Sequence, residues 1–249
     1  MLSTPQSLLV ASFKMYRSHL WLFVGYTAWL LLPMILLILI ENMPWKTPSF
    51  LLAILITAIQ IVLSVWITIS LMRLGSLLKN NQPLDSNALS LKALKDIRPV
   101  LMVVILQILI VAGGILLFII PGILFWIRYA FAQQAVILDT QTPKEALTFS
   151  HRLVKGRFWK VLGRLLFGPL VIGLGYALVL GGTLFVLGNL LGIETERLFS
   201  DDPILWVQII ESIGDIFMIP LIILYSLFLY EELKTSLPSE KLEKEGAVA

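Results

Sequence analysis

Three ionisable residues fall inside otherwise apolar stretches: Arg128, Glu211 and Asp215. A charge at mid-bilayer costs about 2–4 kcal/mol even on the gentler insertion scales, so each needs a partner or a task. Arg128 lies seven residues beyond Pro121 and Glu211 eight beyond Pro203. If both prolines mark the outer face, the two charges sit at a shared depth of about 10–12 Å. Asp215 follows one helical turn later on the face of Glu211. The spacing predicts that Arg128 pairs with Glu211, Asp215 or both. Two kinds of chemistry fit such a cluster: a polar pathway or headgroup site, or an ion pair that locks one span to another.

Other chemistry finds little support. The chain has no cysteine and two histidines, His19 and His151, neither set among carboxylates at metal-ligand spacing. No H-E-x-x-H, G-x-S-x-G or phosphate-cradling glycine loop occurs. Phosphodiester cleavage needs a metal or paired carboxylates in a polar pocket, and the polar segments are too short to build one. No catalytic residue, metal or cofactor is expected.

Thr142-Pro143-Lys144-Glu145 reads as a helix start. Thr142 caps, Pro143 takes the first helical position and Glu145 closes a capping box. The helix that follows puts Ala146, Leu147, Phe149, Leu153 and Val154 on one side, and His151, Arg152, Lys155 and Arg157 on the other. A basic face backed by an apolar one suits the surface of an anionic membrane. Upstream, Pro121-Gly122 signals a helix break between two apolar runs.

The elements that position these residues follow from composition. Of 249 residues, 58% are hydrophobic and 14% charged, with a mean hydropathy of +0.90. Soluble domains sit near 45–50% and about 25%, so an all-α integral membrane protein is expected. Six segments approach the roughly 20 residues that cross a bilayer: Leu20–Ile40, Phe50–Leu74, Pro99–Ile119, Gly122–Leu138, Phe158–Leu180 and Ile204–Tyr230. The apolar run beyond Leu180 predicts a break near Gly181-Gly182. Gly173, Ala177 and Gly181 recur every four residues, a spacing that permits close helix approach, within the chain or between copies. Gln60 and Gln107 fall mid-span and are expected to hydrogen-bond between helices.

The cations flank one side of these spans: Lys14 and Arg17, then Arg73 to Arg98, then Lys144 to Arg164, then Lys234 to Lys244. The other side keeps Lys46 and Arg197 among Glu41, Glu194, Glu196, Asp201 and Asp202. Both termini are therefore expected in the cytoplasm. No cleavable signal peptide is expected, the first apolar run being long enough to anchor.

A repeat is also present. Thr4 to Gly25 aligns without gaps to Thr142 to Gly163, with identical Thr4/Thr142, Pro5/Pro143, Leu9/Leu147, Ser12/Ser150, Trp21/Trp159 and Gly25/Gly163. A weaker third copy begins near Pro83, with Ser90, Lys92 and Lys95. The expected architecture is one six-span domain over residues 1–234. It has three hairpin units (about 4–78, 82–138 and 142–234), each preceded by a cytoplasmic amphipathic surface helix. Residues 235–249 form a charged, disordered tail.

Pro121-Gly122-Ile123, Arg128, Pro143, Glu145-Ala146-Leu147, Ser150, Leu153-Val154-Lys155-Gly156-Arg157 and Trp159 together carry a resemblance. The pattern resembles the membrane domain fused to some bacterial glycerophosphoryl diester phosphodiesterases, and the related stand-alone YciC-like inner-membrane proteins. It is dense over residues 119–164. The resemblance implies an all-helical domain in the bacterial cytoplasmic (inner) membrane. In fused relatives a soluble phosphodiesterase barrel follows; these 249 residues carry none, so its activity is not expected of them. Gln133-Gln134 stands where such relatives often have proline.

The expected role is a non-catalytic membrane module that organises anionic lipid headgroups, or a membrane-protein partner, at the cytoplasmic face. Nucleic acid is not an expected partner. The rival is a small-solute or lipid transporter or channel that uses Arg128, Glu211 and Asp215 along a polar route.

Overall fold

The computed structural model describes residues 3–41, 46–193 and 204–237, and every regular element among them is helical. The chain runs through α1 (Pro5–Ser18), α2 (Leu20–Thr27), a short 3-10 turn, α3 (Leu31–Glu41), α4 (Lys46–Lys79) and α5 (Ser86–Leu117). It continues through α6 (Ile119–Tyr129), α7 (Ala132–Asp139), α8 (Pro143–Val154), α9 (Phe158–Leu190) and α10 (Leu205–Thr235). The residues expected to carry the opposite side's acidic charge (194–202) and the tail beyond 237 lie outside the described residues.

Among the described residues five helices are long and apolar enough to cross a membrane: Leu20–Ile40, Phe50–Lys79, Ser86–Leu117, Phe158–Leu190 and Leu205–Thr235. The expected sixth, Gly122–Leu138, is corrected. It is broken at Ala130-Phe131 into α6 and α7, each too short to span. The Pro121-Gly122 break is displaced as well. The chain reverses three residues earlier, at the extended Phe118 (φ −164°, ψ 152°), and Pro121 sits in the first turn of α6. Gly122 serves packing instead: a Cβ there would stand 2.3 Å from Ile115, and one on Gly114 would stand 2.9 Å from the Gly122 Cα. The expected break at Gly181-Gly182 is absent, α9 running unbroken to Leu190. At Gly173 and Gly181 an added Cβ would meet nothing within 4 Å, so neither glycine serves a close helix approach among the described residues.

Of the three expected surface helices, α1 and α8 are separate from the spans behind them. His19 ends α1, its N–H returning to the Met15 and Tyr16 carbonyls. Gly156 ends the α8 region at φ +81°, a left-handed conformation that suits a residue without a Cβ. The third is corrected. Nothing of that kind interrupts Ser86 to Leu117, so the charged segment after the Asp85 cap runs straight into the apolar part of α5.

The packed core lies toward the basic ends of the long helices. Tyr225, Tyr230 and Leu233 of α10 are fully buried there among Ile67 and Leu71 of α4, Phe131 just before α7 and Leu153 of α8. Beyond this core the helices present exposed apolar side chains, such as Leu51, Ile54 and Leu55 on α4. A protein dissolved in lipid tails has no reason to hide that surface. Positions matched by the repeat are buried in both copies: Leu8 and Ala146, Ser12 and Ser150, Tyr16 and Val154, Phe23 and Val161.

Candidate functional site

The α6–α7 break exists because a hydroxyl from another helix replaces the backbone ladder. Ser150, fully buried on α8, donates to the Arg128 carbonyl at 2.8 Å and accepts from the Phe131 N–H at 3.1 Å. It thus satisfies one group on each side of the interruption, as irregular backbone away from water requires. Gln107 adds a stitch, its Nε2 donating to the Tyr129 carbonyl at 2.5 Å while its Oε1 accepts from Gln133 at 3.1 Å.

This geometry moves Arg128 away from its expected partners. It sits half-buried at the end of α6, beside His151 of α8, and forms no ion pair with Glu211 or Asp215. Burial holds the His151 imidazole below its usual range, and the Arg128 and Lys155 cations add to that shift. The acidic pair faces α9 instead. Tyr176 donates to the Asp215 Oδ1 at 2.9 Å and approaches the Glu211 carbonyl at 3.2 Å, its ring lying against Gly214. The count from Pro121 misled because the chain reverses at Phe118, which leaves Pro121 inside the first turn of α6; Pro203 lies outside the described residues.

Helix α8 begins as a capping box. Thr142 and Glu145 exchange their hydrogen bonds, the Glu145 carboxylate accepting from the Thr142 N–H at 3.0 Å, and Pro143 takes the first turn. Those bonds hold the Glu145 carboxyl below the usual carboxylate range. Its apolar face, with Ala146, Phe149, Leu153 and Val154, is buried against α5, α6 and α7. The protein, rather than lipid, takes that face. Lys144 and Lys155 point outward, and Arg152 lies over the Phe149 ring. Arg157, expected on the same basic face, is corrected: it turns inward, its Nη2 donating to the Leu233 carbonyl at 3.0 Å and its Nε to the Leu153 carbonyl at 2.6 Å.

Sequence reasoning missed a second set of residues at the same end. Asp139, the last residue of α7, accepts from the Tyr230 hydroxyl at 2.6 Å and from Lys234 at 2.5 Å. Arg73 pairs with Asp96 and Lys79 with Glu231. The Asp139 and Glu231 bonds fasten the end of α10 to α7 and α4, and the Arg73–Asp96 pair fastens α4 to α5. The available signal was that Asp96 and Asp139 are isolated carboxylates amid cations. Among the described residues, Lys14, Arg17, Lys144, Lys155 and Lys160 enter no ion pair. Beside them the repeat-matched Trp21 and Trp159 are 82% and 79% exposed. Among the described residues no group of histidines and carboxylates could hold a metal.

Residues 100–245 match the family model described as the membrane domain of glycerophosphoryl diester phosphodiesterase. The chain belongs to that family. The match takes in α6, the break, the capping box and α10, while α1 to α4 precede it. It names the membrane part of such an enzyme rather than its catalytic part. No curated protein and no solved structure matches the chain.

Proposed function

We propose that this phosphodiesterase-type membrane domain is a non-catalytic module that gathers anionic lipid headgroups along one face of the bacterial cytoplasmic membrane. Both termini lie on the cytoplasmic side. The observation that carries the proposal is the unpaired basic rim. With the apolar face of α8 occupied by protein, Lys144, Lys155 and Lys160 remain turned outward with no carboxylate partner among the described residues. Lys14 and Arg17 of α1 extend the same rim. The two exposed tryptophans suit the headgroup level, where an amphipathic ring is most at home. Each Lys or Arg near an anionic surface contributes about 1 kcal/mol.

The transport route loses support because it needed Arg128 paired with Glu211 or Asp215, and among the described residues it forms no ion pair with either. Lipid retention tests the proposal. Native mass spectrometry of the protein extracted from an equimolar phosphatidylcholine and phosphatidylglycerol bilayer should find phosphatidylglycerol enriched. In the triple variant K144Q/K155Q/K160Q that preference should fall by roughly a hundredfold in affinity, the equivalent of about 3 kcal/mol. Equal retention of both lipids by the unaltered chain would refute it.

A further inference from the structure

The turn between α5 and α6 contains no polar side chain. From Ile108 to Ile127 the sequence is Ile-Leu-Ile-Val-Ala-Gly-Gly-Ile-Leu-Leu-Phe-Ile-Ile-Pro-Gly-Ile-Leu-Phe-Trp-Ile. At its tip Leu116 is 88% exposed and Phe118 74%. A turn that emerged into water would be costly with such residues, since a fully buried side chain of this size gains about 1.5–3 kcal/mol over an exposed one. The other two long connections differ: residues 41–46 and 194–203 both carry charges.

The depth of this turn follows from helix α8. Lys144, Arg152 and Lys155 cannot lie in hydrocarbon without large cost, so α8 marks the headgroup level. Met102, Ile105 and Leu106 of α5 line a cavity together with Thr142, Pro143 and Lys144. Gln107 bonds to Tyr129, next to the Arg128 carbonyl that Ser150 holds. Residues 102–107 and 129 therefore lie at the level of α8. From Gln107 to Phe118, and from Phe118 back to Tyr129, there are eleven residues each way, or about 16 Å of helix. A hydrocarbon core is about 30 Å thick. The hairpin reaches roughly half of it.

We propose that α5–α6 is a re-entrant hairpin, entering and leaving the bilayer from the basic side, with its tip among the acyl chains near the midplane. The backbone is built for a turn without water. A single residue connects the helices. The Phe118 N–H still donates to the Gly114 carbonyl at 3.0 Å, and the Gly122 N–H to the Phe118 carbonyl at 3.4 Å. Pro121, in the first turn of α6, has no N–H to leave unpaired. The Gly114–Gly122 contact lets the two helices close tightly, so few polar groups meet lipid. By length α5 could cross the membrane; by this construction it does not, and the hairpin wedges acyl chains on one side of the bilayer only.

The absence of cysteine makes the test direct. Single-cysteine variants F118C and L116C, with K155C and N42C as references for the two sides, are probed in intact and inverted membrane vesicles with a membrane-impermeant maleimide. The proposal expects both tip variants to stay unlabelled in either preparation while each reference labels in one. Nitroxides placed at residues 109, 118 and 126 in liposomes should show oxygen accessibility peaking, and nickel-chelate accessibility lowest, at residue 118. Labelling of F118C or L116C from either side would overturn the hairpin. So would a depth profile that rises continuously through residue 118 toward the opposite surface.

Discussion

Ser150 and Ser12 show how much a single hydroxyl depends on where it points. The repeat makes them equivalents and both are buried. Yet Ser12 only returns to the Leu8 carbonyl of its own helix at 2.8 Å, whereas Ser150 bridges two ends of a broken one. Ser150→Ala should therefore destabilise the protein by about 1–3 kcal/mol, because it strands a buried N–H and a buried carbonyl. Ser12→Ala should stay within about 0.5 kcal/mol; thermal unfolding in detergent compares them. His151 gives a pH-dependent counterpart. Its native pKa is lowered, so the unfolded chain binds the proton first. Stability is thus complete above the ordinary value of 6.5 and is lost as pH falls from there through the depressed native value. His151→Gln should remove that part of the fall between about pH 7.5 and 5, visible as a flatter melting-temperature profile. None of this was legible in residue types. The repeat singles out Ser150, but its partners lie nineteen and twenty-two residues away.

At the scale of elements, what hydropathy encodes was readable, and what one helix does to another was not. Four of the expected spans near Leu20, Phe50, Phe158 and Ile204, and the apolar part of α5, correspond to long apolar helices because composition alone sets them. Gly122–Leu138 was shorter and carried Arg128, Gln133 and Gln134, but that a hydroxyl from α8 bridges a break in it is contained in no window along the chain. The same holds for glycines. The regular stripe at Gly173 and Gly181 is open, whereas Gly168, outside the pattern, carries the tight contact. A Cβ there would come within 2.1 Å of the Tyr225 ring, which cannot retreat because its hydroxyl donates to the Arg164 carbonyl at 2.6 Å. Gly168→Ala should cost about 1–3 kcal/mol or more by overpacking α9 against α10. Gly163→Ala, facing open space, should leave the melting temperature unchanged or slightly raised.

For the whole molecule, the basic end is both the packed core and the charged rim. Buried or half-buried ions there hold helices together, while the outward ones remain available to lipid. Asp139 belongs to the first group, since it ties Tyr230 and Lys234 of α10 to the end of α7. Asp139→Asn should loosen that end by about 1–3 kcal/mol, and limited proteolysis should then cut the C-terminal end of α10 more readily. The positive side could be recognised from sequence because charge counts survive any packing arrangement. The inward turn of Arg157 could not, because it depends on the Leu233 carbonyl being there to receive it. The account requires that α1 and α8 share the cytoplasmic surface. Side-specific labelling of the single-cysteine variants K14C and K155C measures this most directly: an impermeant maleimide should modify both in inside-out vesicles and neither in spheroplasts. Modification of either one in spheroplasts would contradict it.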